Sequence, residues 1–249
     1  MPEDRRVLDR SAASPSRSWA YGAGPDQVAD VYLPGRATRD SASAPVLLIH
    51  GGFWRPEYDR SHVRPMAAAL AARGYPTVVP EYSRAPGRPD QALADVQAAL
   101  SGLPAGIGAA DPVVVGHSAG GHLALLVAAS PSARLLGCLA LAPVADLALA
   151  EDLDLDGGAV RDFLGASAGS RPDLDPARAP RPGVPVTVVH GEQDTLVPIS
   201  LSESYCGRLD ERLVRARATG HFELIDPLSR AWPSVIGELS ALASPPGIE

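Results

Sequence analysis

Short runs of continuous apolar residues alternate along this chain with longer segments that carry their apolar positions on one helical stripe. Val28 to Leu33 alternates and predicts an early strand, ended by Pro34-Gly35, with a small-residue loop from Arg36 to Pro45. Val46 to His50 (VLLIH) is apolar almost throughout, the mark of a strand covered on both faces. Arg64 to Arg73 predicts a short helix, with Pro65 near its start and Gly74 past its end. Thr77 to Val79 follows as a buried strand. Pro89 to Leu103 is amphipathic, with Leu93, Val96 and Leu100 on one stripe. The same alternation gives a strand at Val113–Val115, a helix at Gly120–Ala129 and strands at Cys138–Ala142 and Val186–His190. A helix at Leu201–Leu209, an edge strand at Val214–Ala218 and a closing helix at Ser229–Leu242 complete it. Strands alternating with helices predict an α/β class with a mostly parallel sheet and helices on both faces.

Two stretches break the rhythm. Residues 1–20 are polar, rich in Ser and Arg, and are expected to lie loosely on the surface, leaving 21–249 as a single domain. Residues 143–185 are rich in Asp, Pro, Gly and Ala, with one helix expected at Ala159–Leu164. So long a connection within a compact domain usually serves function, here as a cap-like or lid-like insertion.

Composition then removes several kinds of chemistry. All 22 basic residues of the 249 are Arg; the chain contains no Lys and no Asn. Without Lys there is no Schiff base and no phosphate-binding P-loop lysine, and without Asn no Cys-His-Asn triad. A net charge of -7 argues against nucleic acid or an anionic membrane as partner, since either needs a basic face. The nearest basic cluster, Arg208, Arg212, Arg215 and Arg217, reads as a solvated face. Cys138 and Cys206 are too few for a disulfide framework or a zinc site. Met1 to Ala20 has no apolar run, so it is neither a signal peptide nor a membrane span, and a cytoplasmic location is expected. No cluster has metal-ligand spacing and no Gly-rich loop suits a dinucleotide, so neither metal nor cofactor is expected.

The chemistry concentrates in Gly116-His117-Ser118-Ala119-Gly120, set between a predicted strand and a predicted helix. A G-x-S-x-G sequence in that setting forms a sharp elbow that presents the serine hydroxyl at the carboxyl edge of the sheet. A hydroxyl is a weak nucleophile until a base takes its proton and a third group orients that base. Of six histidines, His190 and His221 follow the elbow at a distance. His190 ends a buried strand, whereas His221 lies in a loop after Gly220, which suits a mobile base. Asp194, just after the Val186–His190 strand, is the candidate acid, with Asp146 and Glu192 as rivals. His50-Gly51-Gly52-Phe53-Trp54 follows its strand directly and offers backbone N–H groups for an oxyanion. Gly51, Gly52 and Phe53 are the candidates there, joined by the N–H of Ala119. Phe53, Trp54 and Tyr58 could alternatively line an acyl or aryl pocket or simply pack; Trp54 and His117 are assigned to substrate binding.

These motifs resemble the α/β-hydrolase fold of the esterase/lipase superfamily. HGGFW together with GHSAGGHLA is similar to the kynurenine formamidase (arylformamidase) and carboxylesterase-like branch. Residues 80–86 also resemble the strand-end motif of hormone-sensitive-lipase-like esterases, but Ser83 and Arg84 depart from it. The resemblance implies a cofactor-free serine hydrolase acting on a small ester or aryl formamide, with Ser118 as nucleophile, His221 as base and Asp194 as acid. It leaves room for a homodimer. A ligand-binding protein that uses the same fold without catalysis is the alternative.

Overall fold

The computed structural model describes residues 3–35, 44–104, 106–108 and 110–244, so most of the expected loop before Val46 lies outside the described residues. Among the described residues eight strands form one sheet: β1 (Arg17–Ala20), β2 (Val28–Tyr32), β3 (Val46–Ile49), β4 (Thr77–Pro80), β5 (Val113–His117), β6 (Gly137–Leu141), β7 (Val186–Gly191) and β8 (Arg212–Ala216). Their order is β1-β2-β4-β3-β5-β6-β7-β8. β2 pairs antiparallel with β1 and β4, while β4 through β8 are parallel.

Residues of β3 alternate between two cores, which explains its continuous apolar run. Leu47 and Ile49 face one cluster with Leu123 and Leu201, and Val46 and Leu48 face the other with Leu70 and Leu239. Among the described residues there are seven helices: α1 (Arg64–Ala72), α2 (Pro89–Ser101), α3 (Ala119–Ala128), α4 (Leu147–Asp152), α5 (Ala159–Leu164), α6 (Ser200–Leu209) and α7 (Trp232–Ala243). All ten residues of α3 are buried, as a helix apolar on every side requires. Cys138 and Cys206 are buried and unpaired.

Two expectations change. Residues 3–20 do not lie loosely: Val7 is buried in a 3₁₀ turn (Arg6–Asp9), and β1 adds an edge strand beside β2. The 143–185 insertion contains α4 in addition to the predicted helix at Ala159–Leu164. Arg212 and Arg215 of the basic cluster meet Glu238 and Glu203 at 2.7 and 2.5 Å, as on an ordinary solvated face. Among the described residues no helix is long and apolar enough to cross a membrane.

Candidate active site

Parallel strands deliver their carboxyl ends to one edge of the sheet, and the loops leaving that edge carry the candidate residues. Ser118 stands between β5 and α3 at φ 56°, in the left-handed region that costs a non-glycine residue about 1–3 kcal/mol. Its N–H donates to the Leu141 carbonyl at 2.9 Å, so the strained turn is tied to β6. The flanking glycines are required by contact. A Cβ on Gly116 would lie 2.2 Å from the Gly120 carbonyl oxygen, and one on Gly120 would lie 2.3 Å from the backbone oxygens of Ile49 and His50. Backbone therefore packs on backbone at the elbow.

The loop after β3 presses on the same point. A Cβ on Gly51 would meet Ser118 Cβ at 2.8 Å and the His117 carbonyl oxygen at 2.9 Å. Gly52, Phe53 and Trp54 then run through positive φ (111°, 48° and 56°). Among the described residues the N–H groups of Gly51, Gly52, Phe53 and Ala119 donate to no protein acceptor, which leaves them available to an oxyanion. Gly51→Ala should displace this loop against the serine and lower kcat about 100-fold, the effect of roughly 1 Å of misplacement. Steady-state kinetics on the folded variant checks this.

His221 and Asp194 meet across the ends of β7 and β8. His221 Nδ1 donates to Asp194 Oδ2 at 2.6 Å. Asp194 Oδ1 accepts from the amides of Leu196 and Val197 at 2.9 and 2.8 Å, so both carboxylate oxygens are committed. Burial alone would raise this carboxyl, but hydrogen bonds from His190, His221 and the Val197 amide outweigh it and hold the group well below the usual carboxylate range. The rival Asp146 instead caps α4 through the Leu149 amide at 2.9 Å and accepts from Ser204 Oγ at 2.6 Å. Glu192 is exposed.

Ser118 and His221 line one cavity of about 260 Å³, together with Gly52, Phe53, Tyr58 and His117. Ser118 Oγ makes no hydrogen bond to His221 among the described residues; such contacts often tighten only when substrate is bound. The structure thus gathers Ser118, Asp194, His221, Gly52, Phe53 and His117 at one edge. Trp54 departs from its assignment. It is 3% exposed, absent from the cavity lining, and stacks on Phe163 of α5 at 4.4 Å between ring centroids, so it packs the insertion against the sheet.

Four contributors were not foreseen from the sequence. His190 Nε2 donates to the Val197 carbonyl at 2.8 Å and stands 3.4 Å from Asp194 Oδ2, so this strand-end histidine steadies the acid. His62 is half-buried and lines the cavity. Arg5 and Leu8, from the segment expected to be loose, form another part of its wall. The tight spacing of His190 and Asp194 was a usable signal for the first; nothing local marked the others. Among the described residues no group of three or more His, Cys, Asp or Glu is arranged to hold a metal ion.

His117 and His122 set an acid limit on stability. His117 Nε2 donates to the His221 carbonyl at 3.2 Å and His122 Nε2 to the Leu174 carbonyl at 2.8 Å, while both Nδ1 atoms are buried without a partner among the described residues. Burial pushes His117 well below its ordinary value of 6.5 and His122 down to about 4. Unfolded histidines take up protons below about pH 6.5 while these stay neutral, so their stabilisation is complete above that pH and is lost as pH falls towards 4. His122 accounts for up to roughly 1 kcal/mol per pH unit in that window. His122→Gln should flatten the slope by that amount between pH 6 and 4.5, read from denaturant unfolding at several pH values.

Comparison with known proteins agrees with this architecture. The truncated carbohydrate esterase from gut microbiota shares 16% identity over 94% of this chain and 99% of its own, with a TM-score of 0.77. Esterase B from Lactobacillus rhamnosis, inhibited by a tributyrin phosphonate, shares 20% over 96% and 90%, with a TM-score of 0.74. Thermogutta terrifontis esterase 2 in its propionate-bound form shares 19% over 93% and 96%, with a TM-score of 0.71. At such identities the likeness is one of fold. No curated protein matches the chain. The model of the alpha/beta hydrolase family matches residues 46–236, a span that holds the elbow, Asp194 and His221 alike, and the chain belongs to that family.

Proposed function

We propose that the protein is a serine hydrolase that cleaves a small carboxylic ester or aryl formamide through an acyl-enzyme. One observation carries the reading: an imidazole fixed by a buried carboxylate at 2.6 Å shares a cavity with a serine held in a strained elbow. With Nδ1–H donated to Asp194, His221 carries its free lone pair on Nε2, the tautomer that a general base requires. Ser118 Oγ attacks the carbonyl carbon as His221 takes its proton. The oxyanion is received by the N–H of Ala119 and those of Gly52 or Phe53, each donor contributing on the order of 3 kcal/mol. His221 then protonates the leaving alcohol or amine, and water activated by the same imidazole releases the acid. Asp194 stays ionised throughout and stabilises the imidazolium.

A cavity of about 260 Å³ favours a short acyl group over a long lipid chain. The propionate and tributyrin phosphonate of the two neighbours point the same way for those proteins. Comparing kcat/KM for p-nitrophenyl acetate and N-formylkynurenine tests the reading. Turnover of either, lost in Ser118→Ala, is expected, and the larger value assigns the bond. Turnover of neither by folded protein overturns it.

A further inference from the structure

The N-terminal arm crosses the loops that carry the candidate acid and base, and its contacts converge on one side chain. Glu3 Oε1 accepts from the Thr195 amide at 2.7 Å and from Thr195 Oγ at 2.9 Å. Its other oxygen, Oε2, accepts from the His221 amide at 2.8 Å. One carboxylate therefore joins the residue after Asp194 to the backbone of His221, across 192 and 218 positions of sequence. The loop is shaped to admit it: a Cβ on Gly220 would lie 2.4 Å from Glu3 Oε2. The roots of the two loops are tied separately, by the Glu192 amide on the Ala216 carbonyl and the Gln193 amide on the Thr219 carbonyl. Glu3 ties their tips. The rest of the arm holds it there, with Val7 buried, Arg10 paired to Asp226 at 2.6 Å, and the Arg5 guanidinium 5.4 Å above the Phe222 ring. Phe222 in turn meets the His221 ring edge-on at 5.1 Å.

We propose that Glu3 is a positioning residue of the active site: bridging Thr195 and His221, it holds the imidazole in register with Asp194 and the serine elbow. The proposal rests on the serine-hydrolase reading above. Glu3 touches neither substrate nor the reacting atoms; it acts through the backbone of the base. Its carboxylate also accepts from one amide of each loop, so the pair of loops closes as one unit rather than two. Because rate depends steeply on the placement of the base, releasing the tip of its loop costs turnover more than it costs binding.

The test compares Glu3→Ala and Glu3→Gln with Asp4→Ala in the full chain. Among the described residues Asp4 pairs with Arg6 alone, so it controls for loss of a neighbouring charge. Glu3→Ala is expected to lower kcat by roughly 10- to 100-fold with KM within about twofold, while Asp4→Ala stays near wild type. Glu3→Gln retains one carbonyl acceptor for Thr195 but turns an N–H towards the His221 amide, so its kcat falls between the two. Hydrogen exchange at the Thr195 and His221 amides should quicken in Glu3→Ala. If kcat is unchanged in Glu3→Ala, if KM alone moves, or if Asp4→Ala loses as much, the proposal fails. If wild-type protein hydrolyses neither substrate, the hydrolase reading fails instead. Unchanged exchange at both amides in Glu3→Ala would then show separately that Glu3 does not bridge the loops.

Discussion

Replacing Ser118 with Ala is expected to lower kcat on the order of a millionfold while leaving the fold intact. Both halves of that expectation come from the same geometry. The hydroxyl makes no hydrogen bond among the described residues, so its removal breaks no structural contact. The backbone at φ 56° is held by the Ser118 amide on Leu141 and by the amides of His122 and Val144 on the Ser118 carbonyl, all of which alanine keeps. Unfolding free energy should therefore stay within about 1 kcal/mol of the parent. Chemistry, by contrast, loses the atom that forms the acyl bond in this cavity. Ser61 also lines it, but its Oγ is engaged by the carboxylate of Asp59. A loss of only tenfold, measured by single-turnover kinetics on purified variant, would remove Ser118 from the nucleophile's role.

Asp194→Asn is expected to lower kcat by about 10,000-fold, and the hydrogen bonds around the side chain explain why. The amides of Leu196 and Val197 both donate to Oδ1, at 2.9 and 2.8 Å. In the variant the amide oxygen must stay on that side, which turns the NH₂ group towards His221. Imidazole Nδ1 then accepts instead of donating, its proton moves to Nε2, and the nitrogen facing the cavity can no longer act as a base. His190 Nε2, 3.4 Å from the same position, already donates its proton to the Val197 carbonyl and offers the new NH₂ group no acceptor. Geometry is preserved and the tautomer is wrong. A residual rate that recovers as pH is raised, without any change in fold by circular dichroism, would fit a surviving base. A variant with wild-type kcat would show that the carboxylate is not needed.

What the chain disclosed in advance follows where its signals are local. The core strands β3 to β7 are buried on both faces and spell themselves out as apolar runs, and the elbow is marked by glycines that close backbone contact requires. His221 and Asp194 could be found by order along the chain, because parallel strands send successive loops to one edge. The rest was set by tertiary contact. β1 (RSWA) is mostly exposed and has no apolar alternation; its pairing with β2 is what makes it a strand. Glu3 carries its meaning only beside Thr195 and His221, which no window of sequence contains. Trp54 misled for a related reason: it follows the oxyanion-loop glycines, but three positive φ angles in succession deliver it to Phe163 in the core.

The serine–histidine pair is tested most sharply by the site of covalent capture by an alkyl fluorophosphonate, mapped by peptide mass spectrometry on wild-type protein and on His221→Ala. One adduct is expected, on Ser118, formed rapidly by wild type and slowed by orders of magnitude when the imidazole is absent. An adduct elsewhere, or capture of Ser118 at the same rate in both proteins, would contradict that pairing.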